Sequence, residues 1–214
     1  MIFSIEGNIG SGKSTIVQHI KHMLQDDASF VFLQEPVDIW ETIKDEEGVS
    51  ILTNFYKSQK KFAFPFQMMA YISRLAILRK TIKDNPGKHI ICERSVYTDR
   101  NVFAKMLHED NKITLINFTI YNMWFDEFLE DIKIDKFIYI RASPLVCCNR
   151  INKRNRPGEE SIPIEYLRRC GKAHDDWLSP GDTLTIDVNQ DVEENPQILP
   201  SWLKEIKEFI EKDI

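Results

Sequence analysis

A chain of 214 residues with 43% hydrophobic and 29% charged residues can bury the core of one large soluble domain, and no Pro/Gly/Ser-rich linker divides it. The net charge of −5 excludes a broad electrostatic footprint for nucleic acid or an anionic membrane, so basic chemistry must be local. Neither a membrane span nor a secretory or transit segment is visible, which points to the cytoplasm or nucleus.

Met1–Glu6 reads as a buried first strand running into a glycine-rich turn, and the apolar spacing of Ile16, Val17, Ile20 and Leu24 predicts a helix over Lys13–Gln25. Phe30–Leu33 is a second strand, closed by Glu35-Pro36. From Trp40 to about Lys83 the pattern is helical in pieces, broken near Gly48 and restarting at Pro65, where a proline suits a first turn. His89–Cys92 is a third strand ending at Glu93-Arg94. Helices follow at about Tyr97–Leu107 and Ile113–Glu130, then a fourth strand over Lys136–Arg141 and a helix from Pro144 to about Lys153. Arg154–Ser161 is a polar loop, Pro163–Trp177 a helix, Thr183–Asp187 a fifth strand and Pro200–Lys212 a closing helix. Alternating strands and helices imply an α/β fold with a parallel sheet, whose ligands bind beyond the carboxyl ends of the strands. Cys92, Cys147, Cys148 and Cys170 show no metal or disulfide spacing and read as reduced thiols.

Gly7-Asn8-Ile9-Gly10-Ser11-Gly12-Lys13-Ser14, followed by Thr15, fills every position of the phosphate-loop pattern. Glycines let successive backbone amides curve around an anion at the start of a helix, Lys13 can reach the β and γ phosphates, and Ser14 can ligate Mg²⁺. The motif implies a nucleoside triphosphate without naming a reaction. Glu35 and Glu93 follow neighbouring strands, which suggests that one holds metal while the other accepts a proton from an attacking hydroxyl. Alone, either acid also reads as a solvated strand end. Arg150 and Arg154 share a helical face, with Arg156 just beyond. Such a run can be a solvated face paired with Glu159 and Glu160. In company with a phosphate loop it reads as a lid over about 154–161 that stabilises a transferring phosphoryl group and excludes water.

Seven segments in order carry a resemblance: EGNIGSGKST from Glu6, EPVDIW from Glu35, FQMMAYISR from Phe66, ERSVYTDR from Glu93, RNRPGEESIPIEY from Arg154, HDDWL from His174 and TIDVNQDV from Thr185. Over almost the whole chain the sequence resembles the deoxynucleoside kinase family, which includes deoxycytidine, deoxyguanosine and mitochondrial-type thymidine kinases. The resemblance implies a five-stranded parallel sheet in the order 2-3-1-4-5, commonly within a homodimer. It implies ATP as phosphate donor, Mg²⁺, and transfer to the 5′-hydroxyl of a deoxynucleoside. On this pattern Glu35 looks like the general base, Arg94 like the group steadying the hydroxyl and the phosphoryl charge, and Glu93 with Ser14 like the metal side. Arg154 and Arg156 match lid arginines, Arg150 lies over the donor, and Gln190, Asp191 and Val192 surround the donor base. Tyr56 and Glu159 match the pair that grips the sugar 3′-hydroxyl, and Trp40 belongs to the acceptor side.

The same pattern puts Gln67 on the Watson–Crick edge of the base, between the rings of Phe66 and Phe103. Gln67, Ala70 and Arg74 share one helical face. A carboxylate at Asp99 can accept from an exocyclic amino group or orient Arg74, and the two would crowd the O4 and methyl of thymine. Deoxycytidine and purine deoxynucleosides are therefore expected over thymidine, unless Arg74 and Asp99 form an ion pair without a role in selection. A nucleoside monophosphate kinase would need more positive charge for an acceptor phosphate. An inactive nucleotide-binding subunit should have lost Lys13, Glu35, Glu93 or Arg94, and all four are present. The segment at about 113–130 is apolar nearly all round, which predicts burial on more than one face, by core or by a dimer seam.

Overall fold

The computed structural model describes residues 1–156, 159, 162–178, 183–212 and 214. Of the expected lid, Pro157, Gly158, Glu160 and Ser161 lie outside the described residues. Five strands, β1 (Ile2–Glu6), β2 (Phe30–Leu33), β3 (His89–Glu93), β4 (Lys136–Arg141) and β5 (Thr183–Asp187), form one parallel sheet in the order β2-β3-β1-β4-β5. Side chains alternate between its faces. Phe3, Ile5 and Ile91 pack with Ile16, Val17 and Ile20 of α1 (Lys13–Met23), with Ile151 of α8 (Pro144–Arg154), and with Ile206 and Ile210 of α10 (Ile198–Glu211). On the other face Ile90 meets Tyr71, Leu75 and Leu78 of α4 (Gln59–Asp84) together with Tyr121 and Phe125 of α7 (Leu115–Leu129). Glu6, Leu33 and Glu93 end their strands at one edge, and the site is built there.

Between β2 and α4 the chain forms α2 (Val37–Thr42), a turn at Asp45–Gly48 and α3 (Ile51–Lys57), capped by Ser50, whose hydroxyl accepts the Thr53 amide. Here the structure corrects the expectation at Pro65, which stands inside α4 rather than at its start. Upstream of it Phe62, Ala63 and Phe64 pack against the Trp40, Leu52 and Phe55 cluster, and this burial carries the helix across the amide that proline lacks.

The region after β3 also departs from a plain α-helix. A short α5 (Val96–Thr98) passes into a π-helical turn, Asp99–Ala104, and then α6 (Lys105–Glu109). A π-turn widens the helix and re-aims its side chains, a feature common at functional sites, and this one carries Asp99 and Phe103. α9 (Ile164–Trp177) completes the helices. No helix among the described residues is long and apolar enough to cross a membrane, and all four cysteines are free thiols.

Candidate active site

The loop between β1 and α1 is shaped by close backbone approach. Gly7 has φ +150 and a Cβ there would stand 2.5 Å from the Ile140 carbonyl oxygen; Gly10, at φ +76, would meet the Cys147 carbonyl oxygen at 2.5 Å. Only glycine fits both. Lys13 bends back so that Nζ donates to the Asn8 carbonyl at 2.7 Å. Burial, helped by the charge of Arg94 and opposed by Glu93 and Glu35, brings its ammonium down to about 7. Beside it the Ser14 hydroxyl donates to Glu93 at 2.6 Å. A hydroxyl and a buried carboxylate are hard oxygen donors suited to Mg²⁺, which binds through few protein groups and takes its other oxygens from phosphates and water. Among the described residues no cluster of three His, Cys, Asp or Glu could hold a metal by itself.

A cavity of about 650 Å³ runs from this loop across the sheet edge. Ile9, Gly10, Ser11, Gly12, Ser14 and Thr15 line its phosphate end. Gly7 and Asn8 do not. The Gly7 carbonyl accepts from Arg94 Nη1 at 2.8 Å, and Asn8 is buried, donating its amide to the Leu167 carbonyl of α9 at 2.8 Å. Asp191 and Val192 line the outer part, whereas Gln190 is exposed and accepts from Asn195. Arg150 spans the Ser11 and Val188 carbonyls, each at 2.9 Å, tying the phosphate loop to the end of β5.

Every residue expected on the acceptor side lines the same cavity. α4 presents Phe66, Gln67, Ala70 and Arg74 together. Phe66 stacks on Phe55 at 4.5 Å and meets Trp40 edge-on at 5.7 Å, forming one aromatic wall. Phe103 lies under the Arg94 guanidinium at 5.0 Å. Gln67 is buried and its amide oxygen has no protein partner. Arg74 donates Nε to Asp99 at 3.0 Å and Nη2 to Glu35 at 2.9 Å, and Arg94 Nε stands 3.4 Å from the same Glu35 oxygen. Burial alone would raise the Glu35 carboxyl. The charges of Arg94, Arg74 and Lys13 override it and bring it to about 2.

Where the lid is expected, Arg154 and Arg156 both donate to the buried carboxylate of Glu159, at 2.5 and 3.3 Å. Burial raises the Tyr56 hydroxyl above its ordinary range, and the charges of Glu159 and Glu35 add to the shift. Sequence reasoning missed His19, Tyr166, Leu199 and Trp202, which also line the cavity. His19 could have been found, since it stands four residues beyond Thr15 on the same face of α1.

A phosphate loop opening α1, paired carboxylates at adjacent strand ends and arginines on α8 define a phosphotransferase of the P-loop class. Residues 3–211 match the family described as "Deoxynucleoside kinase". The chain is 34% identical to deoxycytidine kinase of Mus musculus and 33% identical to that of Homo sapiens, each over 97% of this chain and 90% of the relative. It is 27% identical to mitochondrial deoxyguanosine kinase of Xenopus laevis over 97% of this chain and 88% of that protein. The chain belongs to the deoxynucleoside kinase family. It is an enzyme that transfers a phosphoryl group from ATP to a deoxynucleoside.

Proposed function

We propose that the chain, acting as one catalytic unit with a lid at about 154–161, phosphorylates the 5′-hydroxyl of deoxycytidine and purine deoxynucleosides in preference to thymidine. The observation that carries this reading is the placement of Arg74 between Asp99 and Glu35, in the cavity that Gln67, its amide oxygen unpartnered, also lines. The Gln67 amide supplies one donor and one acceptor to a base edge, and Asp99 with Arg74 favours bases bearing an exocyclic amino group or a purine edge. Thymine has an O4 acceptor where Asp99 also presents an acceptor.

Glu35 accepts the proton of the 5′-hydroxyl. Its depressed basicity keeps it ionised at neutral pH, and the nearby Arg94 steadies the oxygen that attacks. Tyr56 and Glu159 grip the 3′-hydroxyl, and Phe66 and Phe103 hold the base between rings. Lys13, Arg154 and Arg156 stabilise charge on the transferring group, while Arg150, Asp191 and Val192 surround the donor. Ser14 and Glu93 would hold Mg²⁺, which when bound neutralises phosphate charge. A carboxylate at the acceptor position suits a neutral hydroxyl and repels a monophosphate. The role is nucleotide salvage on small-molecule substrates, with no nucleic acid or membrane partner, in the cytoplasm, by a homodimer joined through the exposed apolar face of α7.

Turnover with ATP on each of the four deoxynucleosides and their monophosphates tests the reading. Thymidine as the best substrate would overturn the base assignment. Glu35→Gln should lower kcat by about 10²-fold or more, and an unchanged kcat would remove Glu35 as the base.

A further inference from the structure

Glu6, the last residue of β1, carries a fully buried carboxylate that does not line the cavity. Its Oε1 accepts from the Ser4 hydroxyl at 2.7 Å, the Ser95 amide at 2.9 Å and the Ser95 hydroxyl at 2.6 Å. Its Oε2 accepts from the Thr98 hydroxyl. These partners are neutral donors, and an apolar side chain on a central strand would avoid the desolvation that a carboxylate incurs. The group therefore calls for a positional account.

The sequence placement of those donors supplies one. Ser95 directly follows Arg94, and Thr98 directly precedes Asp99. Arg94 holds a left-handed φ of 61, a conformation that a side chain disfavours. Its own amide donates to the Ile5 carbonyl at 3.0 Å, and the next amide, of Ser95, donates to Glu6. Two successive tethers to β1 thus bracket the left-handed residue. Ser95 stands at the cap position of α5, yet its hydroxyl donates to Glu6 and caps nothing. Thr98 is likewise tethered where the π-turn begins, which sets the origin of the Asp99 side chain.

We infer that Glu6 is a positioning residue whose two oxygens serve different ends of the site, Oε1 fixing Arg94 for phosphoryl transfer and Oε2 fixing Asp99 for base selection. The inference rests on the roles of Arg94 and Asp99 proposed above. Six variants test it in steady-state assays with ATP on deoxycytidine and thymidine: Ser95→Ala, Thr98→Val, Glu6→Gln, Glu6→Asp, Arg94→Lys and Asp99→Asn, with melting temperatures recorded for each. Ser95→Ala should lower kcat about tenfold with KM within about twofold, because a small misplacement of an oriented group costs rate. Thr98→Val should raise the deoxycytidine KM about fivefold and narrow the preference over thymidine by a similar factor, with kcat within about twofold. Glu6→Gln should combine both effects, since its amide sets a donor against hydroxyl donors, and Glu6→Asp should recover part of each. If Glu6→Gln fails to fold, the two hydroxyl variants carry the test. The same proportional change in kcat and KM for Ser95→Ala and Thr98→Val, or a change in melting temperature alone, overturns the inference. Lowered kcat in Arg94→Lys and lost selectivity in Asp99→Asn, without effects at Ser95 or Thr98, leaves the proposed roles standing and removes Glu6. Unchanged kcat in Arg94→Lys removes the role of Arg94 and with it this route.

Discussion

Nη2 of Arg74 donates to Oε1 of Glu35 at 2.9 Å, so the arginine proposed to read the base and the carboxylate proposed to take the proton are one hydrogen-bonded pair. On these proposed roles, base selection and proton transfer would be coupled electrostatically. Replacing Arg74 and Asp99 together, as Arg74→Met/Asp99→Ala, removes the ion pair without leaving either charge alone in a buried place. Two outcomes are expected. The ratio of kcat/KM for thymidine over deoxycytidine should rise by about 10²-fold. Glu35 loses one of the charges that bring it to about 2, so its pKa rises. Steady-state kcat/KM of both proteins on the two nucleosides reads the ratio directly.

Lys13 predicts proton uptake on donor binding. Burial and Arg94 lower its ammonium from 10.5 to about 7. Phosphate oxygens beside Nζ favour the charged form and raise it again. At pH 8 the free protein holds Lys13 mostly neutral, so binding ATP should take up close to one proton. Calorimetric titration of ATP in two buffers of different ionisation enthalpy measures that number, and Lys13→Met should bring it near zero.

Much of this site was legible because its chemistry is local in sequence. The phosphate loop is contiguous, Glu35 and Glu93 follow strands whose apolar runs are plain, and Gln67, Ala70 and Arg74 share a face by helical spacing alone. What could not be read depends on packing between distant segments. Asn8 belongs to the loop motif, yet its side chain turns away to the Leu167 carbonyl, 159 residues on. Pro65 carries a local signal to begin a helix, and aromatic burial at Phe62 and Phe64 outweighs it. The π-turn at Asp99–Ala104 leaves no periodic mark in so short a segment. Gln190 differs from its neighbours Asp191 and Val192 only in which way a loop residue points.

His174 should make the protein sensitive to mild acid. It is fully buried, donates from Nδ1 to the Cys170 carbonyl at 2.7 Å and stacks on Tyr139 at 5.8 Å. Burial, with the charge of Arg94, depresses it from 6.5 to about 3. Below about pH 6.5 the unfolded chain binds a proton that the folded state refuses, so stability falls with pH until the folded value is reached. The slope attributable to this group is about 1.4 kcal/mol per pH unit. Urea unfolding at pH 7 and pH 5 measures it, and His174→Gln, which cannot titrate, should show a shallower loss between the two.

α7 was expected to be buried on more than one face, but within one chain only one face is covered. Tyr121, Phe125 and Leu129 point to the core, while Leu115, Ile116 and Met123 are 69%, 73% and 65% exposed. Trp124 stacks on Phe128 at 5.3 Å on the open side. The proposed homodimer would cover this exposed apolar face with a second copy of α7, which offers a matching one. The wild-type protein should sediment as a dimer at micromolar concentration. Trp124→Glu sets a charge in the centre of the face and should shift sedimentation to the monomer. The fold should persist, because the Tyr71 hydroxyl bonds the Trp124 carbonyl at 2.9 Å, a backbone contact that the substitution leaves in place. Equilibrium sedimentation with circular dichroism on the same samples separates lost association from lost folding; a monomeric wild type, or a dimeric Trp124→Glu, would remove α7 from the interface.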